Sequence, residues 1–156
     1  MSEKTIAAIA TPLGEASIGV IRISGSDAIK TAERCFTAFS GERLGALDGY
    51  RAAYGNITEE NGAVIDDAVA LVFRAPKSYT GEDVVEISVH GGRQVLRRAL
   101  RRVLECGAQM AAAGEFTKRA FLNGKLDLVR AQAVIDLIEA TTRAEQKNAL
   151  SQLEGH

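Results

Sequence analysis

The sequence predicts an α+β fold in which a mixed or antiparallel sheet packs with helices. The segments 51–57 and 63–73 are apolar or alternating runs that flank an Asn-Gly turn at 61–62, a pair typical of β-hairpins. Segment 84–90 alternates between two faces, as a half-buried strand does. A helix with a regular apolar stripe is predicted from 93 to about 107. Because the hairpin needs antiparallel neighbours, we do not expect a purely parallel sheet.

The N-terminal part of the chain is predicted to contribute two strands and one helix. A short apolar strand opens the chain, a loop at 12–14 follows, and a second strand occupies 18–23. Ser26 suits a helix N-cap. Apolar residues recur at helical spacing over 28–36, which predicts a helix there.

The C-terminal part is predicted to be helical after one more short strand at 108–113. A connecting segment leads from this strand to Asp127, which suits the N-cap of an apolar helix that runs to about Ala140. Thr142 and Glu145 have the spacing of a capping box, so they start or continue another helix. Nothing follows for these helices to pack against, and we therefore expect the native protein to continue beyond this segment.

The composition indicates a folded protein and excludes several classes. The 156 residues suffice for one domain, or for one domain and the start of another, and 46% of them are hydrophobic. No stretch reaches the length of a membrane span and residues 1–20 lack a secretory pattern, so we expect a cytoplasmic protein without a membrane partner. The net charge of −1 provides no global attraction to nucleic acid.

The two cysteines, Cys35 and Cys106, are predicted to be reduced core residues. Each falls on the apolar side of a predicted helix. Neither has another cysteine or a histidine at the spacing of metal ligands, so we expect no metal site.

No segment carries the residues of a hydrolytic enzyme. Gly14 and Gly19 have the spacing of a phosphate-binding loop. The next residues are Val20 and Ile21, where such a loop needs a lysine and a serine or threonine. The His-Gly-Gly turn at 90–92 is similar to an oxyanion-hole segment, but the chain has no G-x-S-x-G nucleophile motif. We assign no catalytic residue and expect that this chain alone does not hydrolyse nucleoside triphosphates.

Three charged residues interrupt apolar segments and are candidates for a binding site: Arg22, Glu86 and Lys125. The first two lie inside predicted strands, and Lys125 follows the Asn-Gly turn at 123–124. A buried charge needs a partner, because its desolvation costs several kcal/mol. Two interpretations are open. Either Arg22 pairs with Glu86 across the sheet and Lys125 covers a helix C-terminus, or all three line a cavity and bind a ligand that has a hydrogen-bonding ring and anionic groups.

Five arginines on the helix that begins at residue 93 suggest nucleic-acid binding as an alternative. They are Arg93, Arg97, Arg98, Arg101 and Arg102. Each could contact a phosphate, although no aromatic residues lie between them to stack on bases. A solvated helix face explains the same pattern, so direct RNA binding through the Arg93–Arg102 helix is kept as an alternative function.

Four segments, in this order and spacing, resemble the N-terminal region of the bacterial and organellar tRNA-modifying GTPases called MnmE or TrmE. They are ATPLGEASIGVIRISG, SYTGEDVVEISVHGG, GEFTKRAFLNGKLDL and AQAVIDLIEA. The resemblance covers residues 4 to 155.

The resemblance implies a fold similar to the tetrahydrofolate-binding domains of one-carbon enzymes. Residues 1–122 would form the N-terminal folate-binding and dimerisation domain. Residues 123–156 would begin a helical domain, into which a GTPase domain absent from this chain is inserted. The family's folate-contacting arginine, glutamate and lysine correspond to Arg22, Glu86 and Lys125, the same three charges that interrupt apolar segments.

The resemblance also implies cofactors and partners. The chain would bind a tetrahydrofolate derivative, in the 5-formyl or methylene form, and would form a homodimer through this domain. The full-length protein would act with an FAD-dependent MnmG-type partner to place a carboxymethylaminomethyl group on the wobble uridine of tRNA. GTP, magnesium and potassium would bind only in the GTPase domain. A dimerisation scaffold with purely structural buried charges is the remaining alternative.

Overall fold

The computed structural model of the protein describes residues 4–11 and 18–153, and the predicted loop at 12–14, including Gly14 of the glycine spacing, lies outside the described residues. The described strands are β1 (Ile6–Ile9), β2 (Gly19–Ser24), β3 (Phe36–Ala38), β4 (Arg51–Thr58), β5 (Val64–Phe73), β6 (Val84–Val89) and β7 (Gln109–Met110). The described α-helices are α1 (Ala28–Glu33), α2 (Arg93–Glu105), α3 (Glu115–Leu122) and α4 (Leu128–Leu153), and a short 3-10 turn covers Leu44–Ala46.

The described strands form one mixed sheet in the order β3-β4-β5-β6-β2-β1-β7. Strand β7 pairs parallel with β1, and the other pairs are antiparallel. The predicted hairpin is β4 and β5, which join through the Asn-Gly turn at 61–62. The α+β class with a mixed sheet is therefore confirmed.

One face of the sheet carries the main hydrophobic core. Alternate residues of the central strands point to this face, and Ile21, Ile23, Val85 and Ile87 are completely buried there. Helices α1 and α2 pack on the same face. The buried residues of α2 are Leu96, Ala99, Leu100 and Val103. The apolar stripe predicted for this helix is therefore the stripe that packs on the sheet.

The opposite face of the sheet is only partly covered. Arg22 and Glu86 point to it, because they alternate with the buried residues of β2 and β6. Helix α3 lies over one end of this face and brings Phe116 close to Arg22. On β4 and β5, Tyr54 and Val69 remain exposed. We call this surface the open face.

Helix α1 ends at Glu33, so the predicted helix through Phe36 is wrong. Phe36 begins β3 and pairs with Ile57 of β4. The backbone N–H of Thr58 also donates to the carbonyl of Cys35 at 2.9 Å. Hydrogen bonding to a strand distant in sequence outweighs the helical spacing of these apolar residues, since propensity is a weak determinant beside tertiary contacts.

Of the two N-cap residues predicted for helices, Ser26 is wrong and Asp127 is confirmed. Ser26 is not the N-cap of α1, because Asp27 occupies that position and its side chain makes no capping hydrogen bond. At the start of α4, Asp127 Oδ1 accepts a hydrogen bond from the backbone N–H of Arg130 at 2.7 Å. The N-cap predicted at Asp127 is therefore confirmed.

The C-terminal part contains a helix that the sequence did not predict, and its strand is shorter than predicted. Helix α3 occupies 115–122, which the sequence pattern left as a connecting segment. Strand β7 spans two residues of the predicted strand at 108–113. Helix α4 continues through 142–145 without a break, so the capping-box spacing there continues a helix and does not start one. None of the helices in the described ranges combines the length and hydropathy needed to cross a membrane.

Candidate ligand-binding site

Arg22 and Glu86 form an ion pair on the open face. The register of β2 and β6 places them directly opposite each other. Nε of Arg22 donates to Oε2 of Glu86 at 2.8 Å, and the two side chains are 29% and 24% exposed. The pair therefore remains accessible to solvent on one side. The cross-strand pairing that the sequence left open is present in the structure.

Two aromatic rings flank the Arg22 guanidinium. Its Cζ atom lies 5.6 Å from the ring centroids of both Tyr79 and Phe116. Such contacts are favourable because the ring faces carry partial negative charge. The Tyr79 hydroxyl also lies 2.9 Å from Oγ1 of Thr117 in α3, which ties the loop before β6 to that helix. Charge and flat aromatic surface thus occur together on the open face.

Lys125 lies in a turn that ends α3. Gly124 has a φ of 75°, a left-handed conformation that glycine adopts without strain. The N–H of Lys125 donates to the carbonyl of Ala120 at 2.8 Å, and that of Gly124 donates to Phe121 at 3.0 Å. These two bonds form a Schellman motif. The backbone of Lys125 is therefore held in place, as the Asn-Gly turn predicted.

The Lys125 ammonium contacts the loop that carries Tyr79. Its Nζ atom donates to the carbonyl of Pro76 at 3.1 Å, and the residue is exposed. The side chain of Asn123 donates to the carbonyl of Thr80 at 2.8 Å, a second link between the turn and this loop. The Lys125 side chain therefore binds the carbonyl of Pro76 in this loop. One of the two sequence interpretations placed it over a helix C-terminus, and that placement is not observed.

The three predicted site residues are only partly brought together. Arg22 and Glu86 are in contact, and Lys125 binds the loop whose Tyr79 lies over Arg22. Within the described part of the chain, Lys125 makes no hydrogen bond or ion pair with either of the other two. Ligand contact by these residues stays a prediction.

A second charged cluster, which sequence reasoning missed, is centred on Arg119 of α3. This side chain is 4% exposed and lies 3.1 Å from Oε1 of Glu82 and 3.0 Å from Oε2 of Glu115. It also donates to the carbonyl of Lys4 at 2.7 Å. The hydroxyl of Ser24 donates to the same Glu82 oxygen at 2.8 Å. This Arg119 cluster joins the chain start, the loop before β6 and α3.

The sequence contained only a weak indication of the Arg119 cluster. Glu115 and Arg119 are four residues apart, which places them on one face of a helix. That signal requires a predicted helix over 115–122, and the sequence pattern did not indicate one. Phe116 was missed for the same reason, because it lies on α3. Tyr79 was missed because its contact with Arg22 depends on how the loop before β6 packs on the sheet.

The arginines of α2 are partly engaged by the protein itself. Arg98 forms an ion pair with Glu59 at 3.1 Å. Arg102 donates to the carbonyl of Thr58 at 2.9 Å. Arg97 and Arg101 are exposed. Arg98 and Arg102 therefore contact other parts of the fold while Arg97 and Arg101 face solvent, and nucleic-acid binding by this helix stays a prediction.

The fold and this site define an α+β domain whose open face offers a carboxylate, cations and aromatic surface. Within the described residues, no group of histidine, cysteine, aspartate and glutamate side chains is arranged to hold a metal ion. Such a face can bind and orient a flat polar molecule through hydrogen bonds and ring contacts.

Comparison with known proteins identifies the family. The family model described as the GTP-binding protein TrmE N-terminus matches residues 5–125. A tRNA modification GTPase MnmE of Symbiobacterium thermophilum is 52% identical over 155 residues, which is 99% of this chain and 34% of that protein. Proteins of the same name from Roseiflexus sp. and Streptococcus thermophilus are 50% identical over 153 and 151 residues, covering 98% and 97% of this chain and 32% of each relative.

The chain belongs to the TrmE N-terminal family and is similar to the N-terminal region of tRNA modification GTPases named MnmE. It spans about a third of the length of these relatives. The family resemblance found in the sequence motifs is therefore confirmed.

Proposed function

We propose that this chain binds a one-carbon tetrahydrofolate derivative, in the 5-formyl or methylene form, through Arg22, Glu86 and Lys125. The observation that carries the proposal is the half-exposed Arg22–Glu86 pair beside the rings of Tyr79 and Phe116. A folate combines a flat pterin ring, which has adjacent N–H donors, with an anionic glutamate tail. The open face offers a matching group for each part.

Glu86 is the acceptor for the pterin ring. A carboxylate can accept two parallel N–H bonds, and the ion pair with Arg22 uses Oε2. The side chain is 24% exposed, so its carboxylate can be reached without unfolding the sheet. Tyr79 and Phe116 supply the apolar surface beside it.

Arg22 and Lys125 supply positive charge for the glutamate tail or for the oxygen of the one-carbon group. The Lys125 ammonium donates to the carbonyl of Pro76, a neutral acceptor that a carboxylate or formyl oxygen can replace. The Schellman turn holds the lysine backbone before the ligand arrives, so little conformational entropy is lost on binding.

The folate would serve as the carbon donor in a longer protein. In this proposal, residues 1–122 form the folate-binding domain and 123–156 begin a helical domain. The relatives are named tRNA modification GTPases, and the chain spans about a third of them. GTP hydrolysis, carboxymethylaminomethyl transfer to the wobble uridine and contact with an FAD-dependent MnmG-type partner would therefore belong to the complete protein.

Homodimerisation through this domain is part of the same proposal. Ile18, Tyr54 and Val69 are 56%, 54% and 37% exposed, and Tyr54 and Val69 are paired residues of the open face. Exposed apolar groups of this kind are typical of protein interfaces. Sedimentation of the chain should show a dimer that Tyr54→Lys weakens, and a monomer at all concentrations would contradict this part.

Calorimetric titration with 5-formyltetrahydrofolate tests the binding proposal. We expect saturable binding that Glu86→Gln weakens by about 2 kcal/mol, roughly 30-fold, because one charged hydrogen-bond acceptor is lost. Glu59→Gln is the matched control. Its carboxylate is also 24% exposed and also paired with an arginine, but it lies beside α2. This control should bind folate as the unmodified chain does.

Lys125→Ala should weaken the same binding by about 1 kcal/mol or more, with Lys30→Ala, an exposed lysine of α1, as its control. If Glu86→Gln and Lys125→Ala both bind like the unmodified chain, the site assignment is wrong. If no folate binds and the variants change only the melting temperature, the scaffold interpretation is correct.

A further inference from the structure

Helix α2 concentrates positive charge on one side of the molecule. Its sequence, RQVLRRALRRVLE, has five arginines and one glutamate, which gives a formal charge of +4. The whole chain has a net charge of −1, so the residues outside α2 together carry −5. The charge of the protein is therefore small in sum but unevenly distributed. A local positive field of this kind can attract an anion that the net charge does not.

Two arginines of this helix have no partner within the described part of the chain. Arg97 and Arg101 are exposed, and neither makes a hydrogen bond or an ion pair with another described residue. By contrast, Arg98 pairs with Glu59 at 3.1 Å, and Arg102 donates to a backbone carbonyl of β4. The fold thus uses two arginines of α2 for its own contacts and leaves these two to solvent.

The spacing of the two free arginines is unfavourable for the helix itself. Arg97 and Arg101 lie four residues apart, which is about 6 Å along the helix axis. Like charges at this spacing repel each other and destabilise a helix. The chain contains 20 acidic residues, yet no described carboxylate lies within ion-pair distance of either side chain. A pair of cations that stability does not explain indicates an anion from outside the chain.

The solvent face of α2 favours a phosphate backbone over a protein or a membrane. Its exposed residues are all polar, and they are Arg93, Gln94, Arg97, Arg98, Arg101 and Glu105. Protein interfaces have an apolar or aromatic centre, and a helix on a membrane surface inserts apolar residues. Binding to phosphates needs neither, because the release of counterions supplies the free energy. The planar guanidinium group also matches the oxygens of a phosphate.

We propose that the solvent face of α2 binds the phosphate backbone of RNA, with Arg97 and Arg101 as phosphate contacts. The 13-residue helix is about 20 Å long, so its surface can follow several phosphates of one backbone. Such contacts position an RNA without recognising its sequence. The choice of RNA over DNA rests on the proposed function, in which the complete protein modifies tRNA.

The α2 surface lies away from the candidate folate site. Helix α2 packs on the core face of the sheet, and Arg22 and Glu86 lie on the open face. A homodimer formed through the open face would therefore leave α2 of both copies exposed. RNA and folate would use different residues, so each can be tested without the other.

Fluorescence anisotropy of a labelled tRNA transcript, titrated with the 156-residue chain between about 50 and 200 mM salt, tests the proposal. We expect binding that weakens as the salt concentration rises. The double variant Arg97→Gln/Arg101→Gln should weaken binding roughly tenfold and should reduce the slope of log affinity against log salt by about 2, because two phosphate contacts are lost. Absence of binding at the lowest salt concentration, or an unchanged slope in this variant, would overturn the proposal.

The matched control is Arg51→Gln/Arg143→Gln. Both arginines are exposed and lie outside α2, on β4 and α4. The net charge changes as it does in the α2 variant, so a control that binds RNA nearly as the unmodified chain does would support the proposal. An equal loss in both variants would mean that net charge, and not α2, determines binding. The melting temperature of the α2 variant should not fall, since the substitutions remove a repulsion. A clear fall would assign Arg97 and Arg101 to the fold instead.

Two further measurements separate RNA from an acidic protein, and this inference from folate binding. Polyglutamate should displace the labelled RNA less effectively than unlabelled tRNA does at equal concentration of charge, and equal displacement would overturn the choice of RNA. The α2 variant should bind 5-formyltetrahydrofolate as the unmodified chain does, and Glu86→Gln should retain RNA. RNA binding without folate binding would contradict only the proposed function, and folate binding without RNA binding would contradict only this inference.

Discussion

The Arg22–Glu86 pair and the Arg119 cluster are both arginine–glutamate contacts, but they differ in burial and in the number of partners. The Arg22 side chain is 29% exposed and bonds one carboxylate oxygen through Nε. The Arg119 side chain is 4% exposed and contacts two carboxylates and a backbone carbonyl. The first pair lies beside solvent and aromatic rings, and the second lies between elements of the fold.

This difference in burial separates a structural contact from a pair that we propose for binding. A charge that is removed from water must have its partners in the protein itself, because an uncompensated buried charge costs several kcal/mol. Arg119 meets that condition through Glu82, Glu115 and Lys4. A half-exposed pair keeps part of its hydration, so a ligand can replace solvent there at lower cost. Burial therefore makes Arg119 a structural contact, and it leaves Arg22 and Glu86, which we propose for ligand binding, accessible to solvent.

The largest expected effect is the loss of stability in Arg119→Ala. This change leaves the carboxylates of Glu82 and Glu115 without their buried cation and should destabilise the fold by about 3 kcal/mol. Urea denaturation monitored by circular dichroism measures it. A change below about 1 kcal/mol would mean that the cluster is not structural, and the comparison would fail.

A smaller loss is expected for the same substitution at the open face. Arg22→Ala removes a half-exposed ion pair and the contacts with Tyr79 and Phe116, and should cost about 1 kcal/mol. The same urea experiment gives the value. Folate affinity should fall in this variant although the chain is fully folded, and a cost equal to that of Arg119→Ala would place the pair among the structural contacts.

The smallest expected effect on stability is that of Lys125→Ala. The lysine is exposed and its side chain makes one hydrogen bond to Pro76, so the change should stay within about 0.5 kcal/mol. Thermal melting without ligand measures this value, and melting with 5-formyltetrahydrofolate should then show a smaller ligand-induced shift than the unmodified chain. A large loss of stability without ligand would assign Lys125 to the fold and not to the site.

The candidate site was only partly predictable from the sequence. Arg22 and Glu86 stood out because each interrupts an apolar strand, and Lys125 because it follows an Asn-Gly turn. Their neighbours did not stand out. Phe116 reaches Arg22 because α3 packs on the open face, and no local pattern over 115–122 indicated that helix. Tyr79 lies in the loop before β6, and its position beside Arg22 depends on how that loop packs on the sheet.

The sequence by itself determined the features that depend on near neighbours. The β4–β5 hairpin follows from its turn, the faces of β6 from period-two alternation, and the packed stripe of α2 from helical spacing. These signals are local, since they arise from backbone geometry within a few residues.

Only the tertiary structure decided the features that depend on residues far apart in the chain. It ended α1 at Glu33, buried Arg119 between two glutamates and paired Arg22 with Glu86. Each of these outcomes depends on which elements pack together and in what register. The free energy of that packing is the sum of many contacts between distant segments, so it cannot be predicted from any single segment of the sequence.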